Sequence, residues 1–185
     1  MKSMVLITGA SGGIGRALAH QLHSQGLLVD VVGRDAHPLA DVAAASRITA
    51  DTTTPEGAAL QGGSGAAVIA SSVVARIGVA NHEAIAAAKG GVEALVRSAA
   101  ANYAAQGLRI NAVAPGLTET PMTANMLKMT AMREGAARQY PLGGIQSAEQ
   151  VADVMAFLLG DGAARLTGQV IAVDGGFTTV RPLVR

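Results

Sequence analysis

The chain has 185 residues, half of them apolar, which is enough for one domain with a full core. Two Tyr and two Phe are its only aromatics, so that core must be built from Ala, Val, Leu, Ile and Met. A net charge of +1 argues against nucleic-acid or anionic-membrane binding, and the lack of cysteine excludes disulfides and thiolate chemistry. The first apolar run, Met4-Val5-Leu6-Ile7, is strand-length, too short for a signal-peptide core. No stretch approaches a membrane span, so a soluble cytoplasmic protein is expected.

Met4-Val5-Leu6-Ile7 reads as a buried strand, and the glycine-rich turn Thr8-Gly9-Ala10-Ser11-Gly12-Gly13-Ile14-Gly15 follows it. Ile14, Leu18 and Leu22 then recur at helical spacing. A strand, a glycine turn and a helix N-terminus form an anion site, because free backbone N–H groups and the helix dipole favour phosphate. Glycines let the backbone approach a pyrophosphate without a Cβ in the way. Gly26 ends this helix, and a second strand over 27–33 stops at Gly33-Arg34-Asp35. In a dinucleotide fold, the end of this strand meets the adenosine ribose. Arg34 there suits a 2′-phosphate through a bidentate guanidinium clamp, which favours NADP(H) over NAD(H). A strand ending later would instead give Asp35 the ribose and favour NAD(H); Asp35 also reads as a helix cap.

A third strand is predicted over 47–51, ending in Asp51. Thr54-Pro55-Glu56 starts a helix that Gly62-Gly63-Ser64-Gly65 soon breaks, and a fourth strand covers 66–71. A long helix runs over about 82–106, with Asn81 as cap, Glu83 in the first turn and Gly107 as stop. Its apolar face is read as Ile85, Ala88, Val92, Leu95, Ala99 and Tyr103. A fifth strand follows over 108–114 and ends at Pro115-Gly116. Between 117 and 144, Met122, Met126, Met129 and Met132 lie near helical spacing. They read either as a pliable flap over an apolar ligand or as the packing of a short helix. Ser147-Ala148-Glu149-Gln150 is a capping box, and a sixth strand over 169–173 turns out at Asp174-Gly175-Gly176. Alternating strands and helices predict a Rossmann-like, doubly wound parallel sheet in three αβα layers, a single dinucleotide-binding domain over 1–185.

The pattern of Thr8-Gly9 and, after three residues, Gly13-Ile14-Gly15 resembles the TGxxxGIG loop of the short-chain dehydrogenase/reductase family. The run from Leu166 to Gly176 resembles that family's last strand. The resemblance implies an NAD(P)(H)-dependent oxidoreductase acting on a small alcohol or carbonyl compound. It also implies a homodimer or homotetramer, with 147–176 as the expected interface. Gly9, Ser11, Gly13, Ile14 and Gly15 would bind the cofactor phosphates, and Asp51 would lie beside the adenine. The segment Pro115-Gly116-Leu117-Thr118-Glu119-Thr120 resembles the PGxxxT run that holds the nicotinamide carboxamide, Thr118 by its backbone and Thr120 by its hydroxyl.

Of the family's catalytic set, Ser72 fits the serine that holds the substrate oxygen and Lys89 fits the lysine that binds the nicotinamide ribose. The tyrosine expected four residues before that lysine is Ile85. Several tens of residues expected between 57 and 65 are missing, among them a central strand and a helix that carries an active-site Asn. His82 shares a helix face with Ile85, and an imidazole titrates near neutrality, so it is the candidate replacement acid–base group. A first-turn histidine also reads as a solvated or structural residue. If Ile85 abolishes proton transfer, the chain is a non-catalytic dinucleotide-binding protein.

Overall fold

The computed structural model describes residues 4–33, 36–49 and 65–181. Strand β1 (Met4–Thr8) leads into helix α1 (Gly13–Ser24), then β2 (Leu28–Gly33) and β3 (Ser46–Thr49). After the next described residue come β4 (Gly65–Ala70), helix α2 (Glu83–Tyr103) and β5 (Leu108–Pro115). The short strands β6 (Thr118–Glu119) and β7 (Gln146–Ser147) bracket helices α3 (Ala124–Leu127) and α4 (Thr130–Ala137). Helix α5 (Ala148–Leu159) and strand β8 (Val170–Val173) complete the described elements.

The expected parallel strands are present, but among the described residues they form two sheets rather than one. The first has the order β1-β2-β3, the second β4-β5-β8, and β6 pairs only with β7. All pairings are parallel; Ile7 sits opposite Val31, and Ile69 opposite Ala112. No ladder joins β1 to β4 among the described residues. The expected loss of a central strand therefore falls at this seam.

Helices hold the halves together. Ile7, Val29 and Val31 of the first sheet share one core with Val113 of the second, through Leu18 and Leu22 of α1 and Val151, Met155 and Leu158 of α5. Burying a leucine side chain contributes about 2 kcal/mol, so this helix pair replaces backbone pairing as the link. α5 is well made for the task. Its capping box closes through Ser147 N–H to Gln150 Oε1 at 2.9 Å and Gln150 N–H to Ser147 Oγ at 3.4 Å. At its other end Arg109 of β5 donates to the Leu158 carbonyl at 2.7 Å and to Leu159 and Gly160 at 3.1 Å. A guanidinium there satisfies the last carbonyls and complements the dipole. On the opposite face of the second sheet, Val96 and Ala100 of α2 pack on Ile110 and Ala112.

Four expectations need correction. Asn81 does not cap α2: its backbone is left-handed at φ 62°, a conformation Asn tolerates, and His82 occupies the cap position without a side-chain cap bond. The helix proper ends at Tyr103, and a 3-10 turn, Ala104–Gln106, runs on to Gly107. The predicted apolar face is also rotated: Glu93, Val96 and Ala100 are buried, whereas Ile85 is 43% and Leu95 57% exposed. The cause is local. α2 lies on β4 and β5 through small residues, and its larger side chains turn outward. The methionines do not pack the 117–144 region; Met122 is 92% exposed, and Leu127 is the buried anchor. The predicted helix start at Thr54 lies outside the described residues.

Candidate active site

The phosphate loop is shaped by contacts that exclude side chains. Gly9 adopts φ 70°, and Gly12 N–H closes the turn on the Gly9 carbonyl at 3.0 Å. A Cβ on Gly15 would lie 2.4 Å from the Gly9 oxygen, and one on Gly13 would lie 2.8 Å from Thr120 Cγ2. Ile14 leans into the main core and fixes the start of α1, while Ser11 is exposed. Gly12 stands at the N-cap of α1, and no side chain caps that end. First-turn N–H groups without a side-chain acceptor, on a loop with no room for a Cβ at Gly13 and Gly15, fit a pyrophosphate. Arg34, Asp35 and Asp51 lie outside the described residues.

The second cluster forms where β4 meets α2. Ser72 is half-buried and caps a 3-10 turn, Val73–Ala75, its Oγ accepting Val74 N–H at 3.4 Å. Lys89 Nζ donates to the Ala70 carbonyl at 2.9 Å, which holds the ammonium two residues from Ser72. Glu93, one turn further along α2, is buried and accepts Ser71 Oγ at 3.2 Å. Both of its carboxylate oxygens also meet Arg76 Nε at 3.1 Å. The structure thus brings Ser72 and Lys89 together and clamps the turn after Ser72 onto α2. Glu93 and Arg76 went unnoticed in the sequence. The available signal was the four-residue spacing from Lys89 to Glu93, which puts both on one helix face.

His82 is exposed at the start of α2, and its Nδ1 lies 2.7 Å from the Ala80 carbonyl. A carbonyl only accepts, so Nδ1 carries the proton and Nε2 is the basic nitrogen of the neutral ring. Ile85 projects one turn beyond.

The third cluster is the turn after β5. Pro115 is buried, and Gly116 N–H donates to the Val173 carbonyl at 2.9 Å. Thr118 is buried; its hydroxyl donates to the Gly116 carbonyl at 3.0 Å and accepts Gln146 Nε2 at 2.9 Å. Its backbone pairs with Gln146 of β7. Thr123 closes the turn: its hydroxyl is 2.6 Å from the Thr118 carbonyl, accepts Thr120 N–H at 3.0 Å, and lies 3.2 Å from Thr120 Oγ1. Tyr140 also belongs here. Its hydroxyl accepts Leu117 N–H at 2.7 Å. Burial raises the phenol's pKa above the ordinary value and Asp174 adds to this, while the Leu117 hydrogen bond pulls the other way. Beside the turn, α3 and α4 border an open cleft of about 400 Å³ lined by Thr120, Leu127, Lys128 and Arg133, and Arg133 pairs with Glu119.

A family model described as Enoyl-(Acyl carrier protein) reductase matches residues 48–178, and one described as short chain dehydrogenase matches residues 3–56. The chain is 46% identical over 118 residues to cis-4-hydroxycyclohexanecarboxylate dehydrogenase of Sinomonas cyclohexanicum, covering 64% of this chain and 47% of that one. It thus spans about half the length of the curated relatives it matches. Among solved structures, a short-chain type dehydrogenase/reductase from Mycobacterium ulcerans superposes with a TM-score of 0.88 at 24% identity, over 97% of this chain and 90% of that one. A protein from Beutenbergia cavernae, described as an NAD(P) dependent gluconate 5-dehydrogenase with bound NADP, superposes at 0.83 with 26% identity, over 96% and 97% of the two chains.

Proposed function

Because the chain belongs to the short-chain dehydrogenase/reductase family, we propose that it binds a nicotinamide dinucleotide and acts as an oxidoreductase on a small alcohol or carbonyl compound. The observation that carries this reading is Lys89 Nζ held 2.9 Å from Ala70 O, two residues from Ser72, in a chain whose glycine loop has no space for a Cβ at Gly13 and Gly15. Gly9, Ser11, Gly13, Ile14 and Gly15 hold the phosphates. Pro115, Gly116, Thr118 and Thr120 hold the carboxamide end. Arg34 and Asp51 are assigned to the adenosine end, with Arg34 favouring NADP(H) over NAD(H); the bound NADP of the Beutenbergia cavernae protein supports a nicotinamide dinucleotide as the ligand.

The nicotinamide, when bound, gives or takes a hydride. The chain's own residues do the rest. Ser72 Oγ holds the substrate oxygen by a hydrogen bond, and the Lys89 ammonium binds the ribose and favours negative charge on that oxygen. His82 Nε2 takes the hydroxyl proton during oxidation, and the imidazolium returns it during reduction. Relatives named for hydroxycyclohexanecarboxylate and cyclohexanol suggest a secondary alicyclic alcohol or its ketone as substrate. The protein is read as a cytoplasmic homodimer or homotetramer joined through residues 147–176, where Phe157 of α5 is exposed. Cross-links confined to other surfaces would remove that interface.

The test is a titration with NADPH and with NADH, followed by nicotinamide fluorescence, then turnover on cyclohexanol. Micromolar NADPH binding, weaker NADH binding, and turnover lost in His82→Gln are expected. Binding of neither cofactor overturns the reading. A second reading, a non-catalytic dinucleotide-binding protein, rests on Ile85, which has no proton to give. Cofactor binding without turnover, with turnover appearing in Ile85→Tyr, establishes that one instead.

A further inference from the structure

The turn over 116–120 has an unusual support. The Leu117 N–H meets no backbone carbonyl; its acceptor is the hydroxyl of Tyr140, 23 residues later, at 2.7 Å. The Tyr140 ring is wedged in place. It lies so close to Gly116 that a Cβ there would sit 2.8 Å from Cε1 and 3.2 Å from the hydroxyl. On its other side, Phe177 stacks with ring centroids 5.0 Å apart and planes at 29°. Phe177 is itself set in a rigid turn, in which the Asp174 carboxylate accepts Gly176 N–H and Thr178 N–H at 2.9 Å and Thr178 Oγ1 at 2.6 Å. Leu142 N–H, bonded to the Gly175 carbonyl at 3.0 Å, ties down the chain just after Tyr140. The ring is held between Gly116 on one side and Phe177 with its 174–178 turn on the other, and its oxygen accepts the Leu117 N–H.

We infer that Tyr140 is a positioning residue for the nicotinamide end of the dinucleotide, its hydroxyl holding the 116–120 backbone in the shape that Thr118 and Thr120 need. This rests on the reading of those residues as the carboxamide site. The physical argument is preorganisation. An amide N–H left without its acceptor in a half-buried turn must move to reach water, and a ligand must then reorder that turn when it binds. The glycine loop and the end of β2 belong to the other sheet; the loop meets the turn at Thr120, which packs against Gly13, and Tyr140 bonds to Leu117 on the turn's other arm. Loss of the hydroxyl should therefore weaken the grip on one end of the cofactor and leave the other alone. A merely structural role for Tyr140 would weaken both.

The experiment compares wild type with Tyr140→Phe, which keeps the ring and its stack. NADPH and NADH are titrated by fluorescence, and adenosine 2′,5′-bisphosphate and ADP, which lack nicotinamide, by calorimetry. The expected result is affinity for the better dinucleotide lowered about fivefold, with the adenine fragments unchanged. Equal losses on dinucleotide and fragment, or no loss on either, overturn the inference while leaving dinucleotide binding intact. Wild type that binds no dinucleotide overturns both the inference and the reading beneath it. Should Tyr140→Phe fold poorly, Phe177→Leu retains the oxygen and loosens the ring; a smaller loss on the dinucleotide alone supports the inference, and a loss on the fragments overturns it.

Discussion

The two three-stranded sheets have the same parallel pairing and differ in how they are covered. The second lies between α2 and α5, so the fully buried Ala112 and Val113 of β5 look to opposite faces and each meets a helix. Among the described residues the first is covered only in part on one face, where Val32 is buried, and well on the other, under α1. There Ile7, Val29 and Val31 are buried under α1, while on the other face Leu6 is 51% and Leu28 41% exposed. Asp30 and Ser46, hydrogen-bonded at 2.6 Å, share that outer face. A parallel sheet normally requires cover on both faces. Among the described residues, then, no ladder joins the halves, and the outer face of the first is open at Leu6 and Leu28. The α1–α5 pair carries the connection, and this division of labour can be tested residue by residue.

The largest effect is expected at that pair. Leu158 of α5 is fully buried in the core shared by both sheets. Leu158→Ala should destabilise by about 2–5 kcal/mol, read as a lower urea midpoint, and should unfold both halves together. Leu6→Ser on the outer face should stay within about 0.5 kcal/mol. Equal costs for the two would break the contrast, since Leu6 would then be packed in solution. Next comes the second half's own clamp. Glu93→Gln removes the charge that Arg76 and Ser71 converge on, while keeping an acceptor. Because Arg76 is partly solvated, about 1–2 kcal/mol is expected rather than the full cost of breaking a buried pair. Amide exchange should rise in the turn after Ser72 and stay unchanged in β1 and β2. Faster exchange in β1 would mean that the clamp supports the whole molecule.

Much of this was legible in the sequence because it is local. Glycine turns at strand ends, the Ser147/Gln150 capping box and the apolar runs of β1, β4 and β5 each report their structure within a few residues. Ser72 and Lys89 were marked by the resemblance to the family's catalytic set, and the structure brings the Lys89 ammonium to Ala70 at the end of the strand that precedes Ser72. What escaped depends on partners distant in the chain. The buried face of α2 was misread because side-chain size suggested Ile85 and Leu95, whereas close packing on β5 selects small residues and Val96. Glu93 is a charged residue at a core position, and no periodicity rule predicts that. Tyr140 lies 23 residues from the amide it serves, and only the fold reveals that contact. The split of the sheet was foreseeable as a missing strand, but its remedy through α1 and α5 was not.

The smallest effect concerns pH, and it assigns Tyr140 to the second half. Burial raises its pKa in the folded state above the ordinary value near 10. Below about pH 10 the phenol is protonated whether the chain is folded or not, so it adds no pH dependence. Above that, the unfolded chain releases the proton while the folded one retains it. The unfolded state is therefore favoured, and stability falls until the pH passes the folded value. Wild type should lose more stability than Tyr140→Phe between pH 10 and the raised value, in urea unfolding followed at several alkaline pH values. Identical slopes in the two proteins would show that the ring is solvated. Within that window, amide exchange should quicken first at Leu117, because local openings that release Tyr140 to water let its phenol ionise, and only later in β1 and β2. Simultaneous exchange in both halves would mean that the α1–α5 pair couples them too tightly for either to loosen alone, and the contrast between the sheets would then be one of cover without any difference in local stability.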